Sequence, residues 1–217
     1  SDLNISLDTL RADRFIEMTR RDELARVLDG IAAAQEAGFA PVKINTVVQR
    51  GVNDDEIVDL ARFGRERGVE VRFIEYMPLD ADGRWDGSEV VDRDRVLADV
   101  AAAFPLEAVV RGHEPAERYR YLDRAPGTPG SEVGVIPSVT TPFCGDCDRI
   151  RLTAEGQLRT CLFSLNETGL REPLRAGASD DELEQVIRDA VWRKELKHRV
   201  NEPGFVQPAR TMSAIGG

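Results

Sequence analysis

Three cysteines, Cys144, Cys147 and Cys161, are spaced C-x2-C-x13-C, and the chain has no others. An odd count cannot close into disulfides within one chain, so a soft-metal site explains the clustering better. Three thiolates leave one metal corner open to a fourth protein ligand, water or substrate. Three accounts stay open on spacing alone. A buried cysteine can be a small hydrophobe. A structural zinc needs a fourth ligand, with His198 the main candidate and His113 upstream, neither at a zinc-finger offset. A [4Fe–4S] cluster needs only the three thiolates and keeps one iron open. Arg149, Arg151 and Arg159 crowd the same stretch. If the segment after Cys147 is extended, Arg149 and Arg151 point to one face. Two guanidiniums beside an open metal corner suit an anionic, phosphate-bearing ligand. The competing account is a solvated strand face.

The elements that must position these residues follow a βα grammar. Leu3 to Leu7 alternates apolar and polar and predicts a short strand. Asp22 can cap a helix carrying Leu24, Val27, Leu28 and Ile31, ended by Gly38. Val42 to Val48 predicts a strand. Asn53 or Asp54 can cap the next helix, with Ile57, Leu60, Ala61 and Phe63 inward. Val69 to Tyr76 is a third strand and Arg93 to Phe104 a third helix. Units of this length predict parallel βαβ structure, too few to close a barrel. After Pro105 the pattern changes. Glu107–Val110, Arg118–Leu122 and Val133–Val139 read as short antiparallel strands. Leu152 to Leu158 reads as strand-turn-strand, a hairpin that would return Cys161 to the first two thiols. Asp180 to Lys197 reads as one capped amphipathic helix that carries Lys194 and Lys197. The tail from Pro203 is extended. Two regions are expected, 1–104 and 105–217.

Composition narrows the function classes. The 217 residues carry a net charge of −10, which argues against a general nucleic-acid binder. All but three of the 29 basic residues are arginine, and the lysine Lys43 stands alone at a strand start. No apolar run approaches the roughly 18 residues of a membrane span. Reduced, clustered thiols fit a cytoplasmic setting. No signal peptide is visible and the first Met is Met18, so the chain is expected to begin within a domain.

The run from Thr141 to Thr153, TPFCGDCDRIRLT, then Gly156 to Phe163, GQLRTCLF, resembles the C-terminal cluster motif of the GTP 3′,8-cyclase family, molybdenum cofactor biosynthesis protein A of the radical S-adenosylmethionine enzymes. Lys43-Ile-Asn-Thr-Val-Val, Gly51-Val-Asn-Asp54, Arg72-Phe-Ile-Glu-Tyr-Met-Pro78 and the ending Met212 to Gly217 are also similar to it. The resemblance implies an α/β fold. It would be the C-terminal half of an incomplete (β/α)6 barrel, followed by a small α+β region that binds a cluster. It implies two [4Fe–4S] clusters in the full enzyme. One, held by C-x3-C-x2-C, reduces S-adenosylmethionine to a radical. The other, matching Cys144, Cys147 and Cys161, binds GTP at its open iron. GTP becomes (8S)-3′,8-cyclo-7,8-dihydroguanosine 5′-triphosphate, which passes to cyclic pyranopterin monophosphate synthase. A reductant protein and a homodimeric full enzyme are implied as well. Residue by residue, Lys43, Arg149 and Arg151 match GTP contacts, Ser6 and Met77 match the S-adenosylmethionine pocket, and Gly216 and Gly217 match a tail that reaches the active site. No cysteine precedes Cys144, so the first cluster motif is missing. The chain is expected to be a C-terminal portion, inactive alone. The alternatives are another radical enzyme with an auxiliary cluster, or a non-enzymatic zinc-stapled module.

Overall fold

Val42–Val48 buries every second side chain, and this alternation organises the whole sheet around it. In the computed structural model, which describes residues 2–79, 83–110 and 112–215, six strands form one sheet. They are β1 (Leu3–Ser6), β2 (Val42–Val48), β3 (Glu70–Glu75), β4 (Leu106–Ala108), β5 (Glu117–Tyr121) and β6 (Glu132–Ile136), in the order β1-β2-β3-β6-β5-β4. β1, β2, β3 and β6 pair in parallel, while β5 pairs antiparallel with both β6 and β4. The expectation of short antiparallel strands after Pro105 holds, since β4, β5 and β6 pair antiparallel in succession; β6 also pairs in parallel with β3 on its other edge. Two reversals, from β4 to β5 and from β5 to β6, return β6 to the direction of β4, which is also that of β3. The change of grammar at Pro105 marks a change from helical crossovers to antiparallel pairing within one sheet. This mixed α/β architecture fits the expected fold class at the coarse level.

One face of the sheet is apolar. Val42, Ile44 and Val48 pack with Val71, Phe73, Val133 and Val135 against helices α2 (Leu24–Glu36), α3 (Ile57–Arg67) and α4 (Arg93–Ala103). Ile44 and Leu60 are completely buried, and each such side chain stabilises the fold by about 1.5–3 kcal/mol. The other face is polar. The β1–β2–β3 register aligns Asn4 with Lys43, then Ser6 with Asn45 and Arg72. Asn45 Oδ1 is buried there without a hydrogen-bond partner.

The helix α1 (Ala12–Thr19) was not expected from the sequence. It buries only Phe15, its N-cap Arg11 makes no side-chain capping bond, and it ends at Arg20 in the left-handed region. None of the usual sequence signals marks it. Capping differs from expectation too. Glu23, not Asp22, precedes α2, without a side-chain capping bond. Asn53 and Asp54 tie their loop instead. Asn53 accepts from the Gln49 amide and donates to the Asp8 and Val47 carbonyls, and Asp54 accepts from the Gly51 amide.

The chain divides into two compact units. One comprises Ser1–Tyr76 and Gly87–Thr141, the other Met77–Asp86 and Pro142–Gly217. The second unit contains a three-stranded antiparallel sheet of β7 (Arg151–Leu152), β8 (Gln157–Arg159) and β9 (Thr168–Gly169). It also holds α5 (Arg171–Arg175) and α6 (Asp180–Trp192). Ser179 starts α6 with a full capping box to Glu182. The helix ends at Trp192, short of the expected Lys197, so Lys194 and Lys197 follow the helix. Among the described residues, no helix is long and apolar enough to cross a membrane.

Candidate metal and anion site

The hairpin β7–β8 places Arg151 opposite Arg159 and Leu152 opposite Leu158. Its turn closes through Thr153 and Gly156, whose φ of 77° needs no side chain. The chain thus returns toward the cysteine loop, and Cys161 follows two residues after β8. All three cysteines are free and half-buried. Burial pushes the Cys161 thiol up; the nearby Glu195 carboxylate and the Cys144 and Cys147 thiols add to the rise. Burial also raises Cys147, but hydrogen bonds from the Arg149 backbone and side chain, with the charges of Arg149 and Lys194, outweigh it and leave the thiol below its ordinary value.

The expected arginines differ in role. The Arg149 guanidinium lies over the Phe143 ring, 4.9 Å from its centroid. Arg151 is half-buried, and among the described residues no carboxylate pairs with it. Burial depresses its basicity, the positive charge of Arg149 depresses it further, and the Cys147 and Cys161 thiols oppose both. Arg159, expected to belong to the same cationic group, is committed to the fold. It is 3% exposed and donates to Glu167 at 2.6 Å and to the carbonyls of Leu162 and Ser164. Of the three arginines, Arg149 and Arg151 remain beside the thiols.

Among the described residues, no three His, Cys, Asp or Glu side chains converge on a point one metal ion could fill. A four-iron cluster takes one thiolate per iron, so its ligands stand further apart than those of a single ion. The donor set suits such a group, since Cys144 and Cys147 both act on the Cys161 thiol and the charges of Arg149 and Lys194 favour thiolate at Cys147. His198, the candidate zinc ligand, packs edge-on against Phe163 at 4.8 Å, and its Nδ1 accepts from the Val200 amide. A cleft of about 680 Å³ opens beside Cys161, lined by Phe163, Glu195, His198 and Phe205 among others.

The remaining expected site residues lie elsewhere. Ser6 ends β1, exposed on the polar face of the first unit. Lys43 is not isolated as its sequence suggested; its Nζ pairs with Asp2 at 2.7 Å. Met77 is half-buried in the second unit, and its carbonyl accepts from the Leu79 amide. Gly216 and Gly217 lie outside the described residues. Two residues without an assigned role from sequence stand out. Glu75 is 2% exposed and accepts from the amides of Val139 and Thr140, each at 2.7 Å, from the Thr140 hydroxyl and from the Arg93 amide. Lys194 contacts the cysteine loop directly. Its only sequence signal was the basic run from Arg193 to Arg199 in an acidic chain.

Residues 69–200 match the Molybdenum Cofactor Synthesis C family. The chain belongs to that family. Residues 1–64 match the Radical SAM superfamily. The chain is also similar to curated proteins named GTP 3′,8-cyclase. One from Corynebacterium glutamicum strain R is 48% identical over 99% of this chain and 58% of its own length. One from Streptomyces coelicolor is 50% identical over 99% of this chain and 62% of its own. A GTP 3′,8-cyclase 2 from Mycobacterium tuberculosis H37Rv is 48% identical over 99% and 60%. The chain thus spans about three fifths of the length of these relatives.

Proposed function

We propose that this chain is the part of a GTP 3′,8-cyclase that carries the substrate-side [4Fe–4S] cluster and much of the GTP site. Residues 1–104 are read as βα units of an incomplete (β/α)6 barrel, and 105–217 as the region that carries the cluster. Cys144, Cys147 and Cys161 would hold the cluster. Bound there, it supplies an iron with an open coordination position for substrate. The observation that carries the reading is Arg151, a half-buried guanidinium beside two of the thiols that no described carboxylate neutralises. A buried cation without a partner is costly unless a ligand anion completes it. Arg151, Arg149 on its aromatic shelf and Lys43 are assigned to GTP. A guanidinium can bridge phosphate oxygens or hydrogen-bond a purine edge. Lys43 would exchange Asp2 for phosphate. Ser6 can hydrogen-bond, and Met77 can pack on an adenine, in the S-adenosylmethionine pocket.

The reaction proposed for the whole enzyme is radical cyclisation of GTP to (8S)-3′,8-cyclo-7,8-dihydroguanosine 5′-triphosphate, with S-adenosylmethionine as radical source and a second cluster elsewhere. A reductant protein, a homodimeric enzyme and delivery to cyclic pyranopterin monophosphate synthase belong to the same proposal. The test is anaerobic reconstitution with iron and sulfide, followed by electron paramagnetic resonance with and without GTP. About four iron and four sulfide per chain and a spectrum altered by GTP are expected. Cys161→Ala should lose the cluster. Zinc without sulfide, or a spectrum that ignores GTP, would overturn the proposal in favour of a metal-stapled module.

A further inference from the structure

Lys194 stands two residues beyond α6, where the chain leaves the helix. Its amide donates to the Val191 carbonyl, so its position is set by a helix that is itself fixed at the other end by the Ser179 capping box. From there Nζ reaches the Cys147 carbonyl at 2.7 Å, the Arg149 carbonyl at 3.0 Å and Cys147 Sγ at 3.6 Å. An ammonium has three donors, and here each finds an acceptor within the same three-residue stretch. Lys197 differs. It is 66% exposed and pairs with Glu202 at the surface.

We propose that Lys194 is a positioning residue that latches the Cys147–Arg149 turn to the end of α6 and makes a cluster bound there easier to reduce. The latch holds Cys147 and sets the backbone from which Arg149 and Arg151 project. The second effect, which rests on the cluster reading above, follows from the N–H···S hydrogen bond. It withdraws electron density from the coordinating sulfur, and such bonds are among the protein's controls over cluster potential.

The experiment compares the full chain with Lys194→Met, which keeps the stem and loses the donors, with Lys194→Arg, which keeps charge and donors, and with Lys197→Met. Without iron, hydrogen exchange of the amides from Cys147 to Arg151 should quicken roughly tenfold or more in Lys194→Met, the scale of losing hydrogen bonds from a charged donor. Lys194→Arg should restore most of the protection and Lys197→Met should match the parent. After reconstitution with iron and sulfide, a redox titration followed by electron paramagnetic resonance should place Lys194→Met at a more negative midpoint than the parent. Unchanged exchange in Lys194→Met overturns the latch. A loaded variant with an unshifted midpoint overturns the tuning. If the parent binds no cluster, the cluster reading and the tuning fall together, while the exchange comparison still decides the latch.

Discussion

Arg149 is seated on Phe143, its guanidinium 4.9 Å from the ring centroid. The ring lies immediately before Cys144 and the cation two residues after Cys147, so the stacking spans the first two cysteines. An aromatic shelf itself occupies none of the cation's in-plane donors, so those that do not bond the Cys147 thiol stay available to a ligand. Phe143→Leu keeps the apolar bulk and removes the π face. GTP affinity should fall roughly two- to fivefold, in line with a cation–π contribution of about 0.5–1 kcal/mol. Titration calorimetry at fixed ionic strength checks it, and unchanged affinity would detach Phe143 from ligand binding.

Arg151 should separate binding from stability. Arg151→Met removes a half-buried charge that no described carboxylate offsets. GTP affinity should drop roughly tenfold or more, since hydrogen bonds to charged groups contribute about 1.5–3 kcal/mol. The Tm should stay level or rise, because an apolar side chain replaces an uncompensated cation. A fall in Tm with intact affinity would make Arg151 a structural residue.

Glu75 collects four donors in the interior of the first unit, and the chain it grips at Val139 and Thr140 runs on into the stretch before Cys144. Glu75→Ala would leave those donors unsatisfied at about 1–3 kcal/mol each. Urea denaturation should show a loss of roughly 3 kcal/mol or more. A loss below about 1 kcal/mol would mean that water replaces the carboxylate without cost.

Asp8 gives a pH prediction. Burial raises its carboxyl above the ordinary value, and the hydrogen bond from the Val47 amide only partly opposes this. The folded state then favours the protonated acid. Its contribution is fully present below the unfolded pKa and is lost as pH rises through the folded one. Asp8→Asn keeps an acceptor for Val47 without the charge. Its stability relative to the parent should increase from pH 4 to pH 7, read as the difference in urea midpoints. A difference that is flat with pH would remove Asp8 from the titration.

Much of this was legible in residue order, and the gaps have physical causes. The alternation of Val42 to Val48 announced β2 because a half-buried strand has a period of two. The hairpin between Cys147 and Cys161 was readable from Thr153 to Gly156 because turn chemistry is local. The α1 helix was hidden, since it is held by the single buried Phe15 and no cap. The end of α6 was hidden as well. No Gly or Pro marks Trp192, and the residues beyond it continue a helix-compatible composition. For that reason Lys194 was read as one more helical cation, and its grip on Cys147 emerged only in three dimensions. Long-range pairings such as Lys43 with Asp2 carry no local signal at all.

The cysteine-bearing unit is assembled from two stretches of chain, Met77–Asp86 and Pro142–Gly217, with part of the other unit threaded between them. The Met212 amide donates to the carbonyl of Leu79, itself nearly fully buried, so the early stretch is built into the unit. On a ribosome that early stretch must wait, unpaired, while β5, β6 and the whole cysteine loop are synthesised. Closure is therefore a late, non-local event with a large loop to span, slow by the entropy of bringing distant residues together. A clone that starts at Pro142 would omit a stretch built into the unit, and the candidate metal site could not be transplanted as a contiguous cassette.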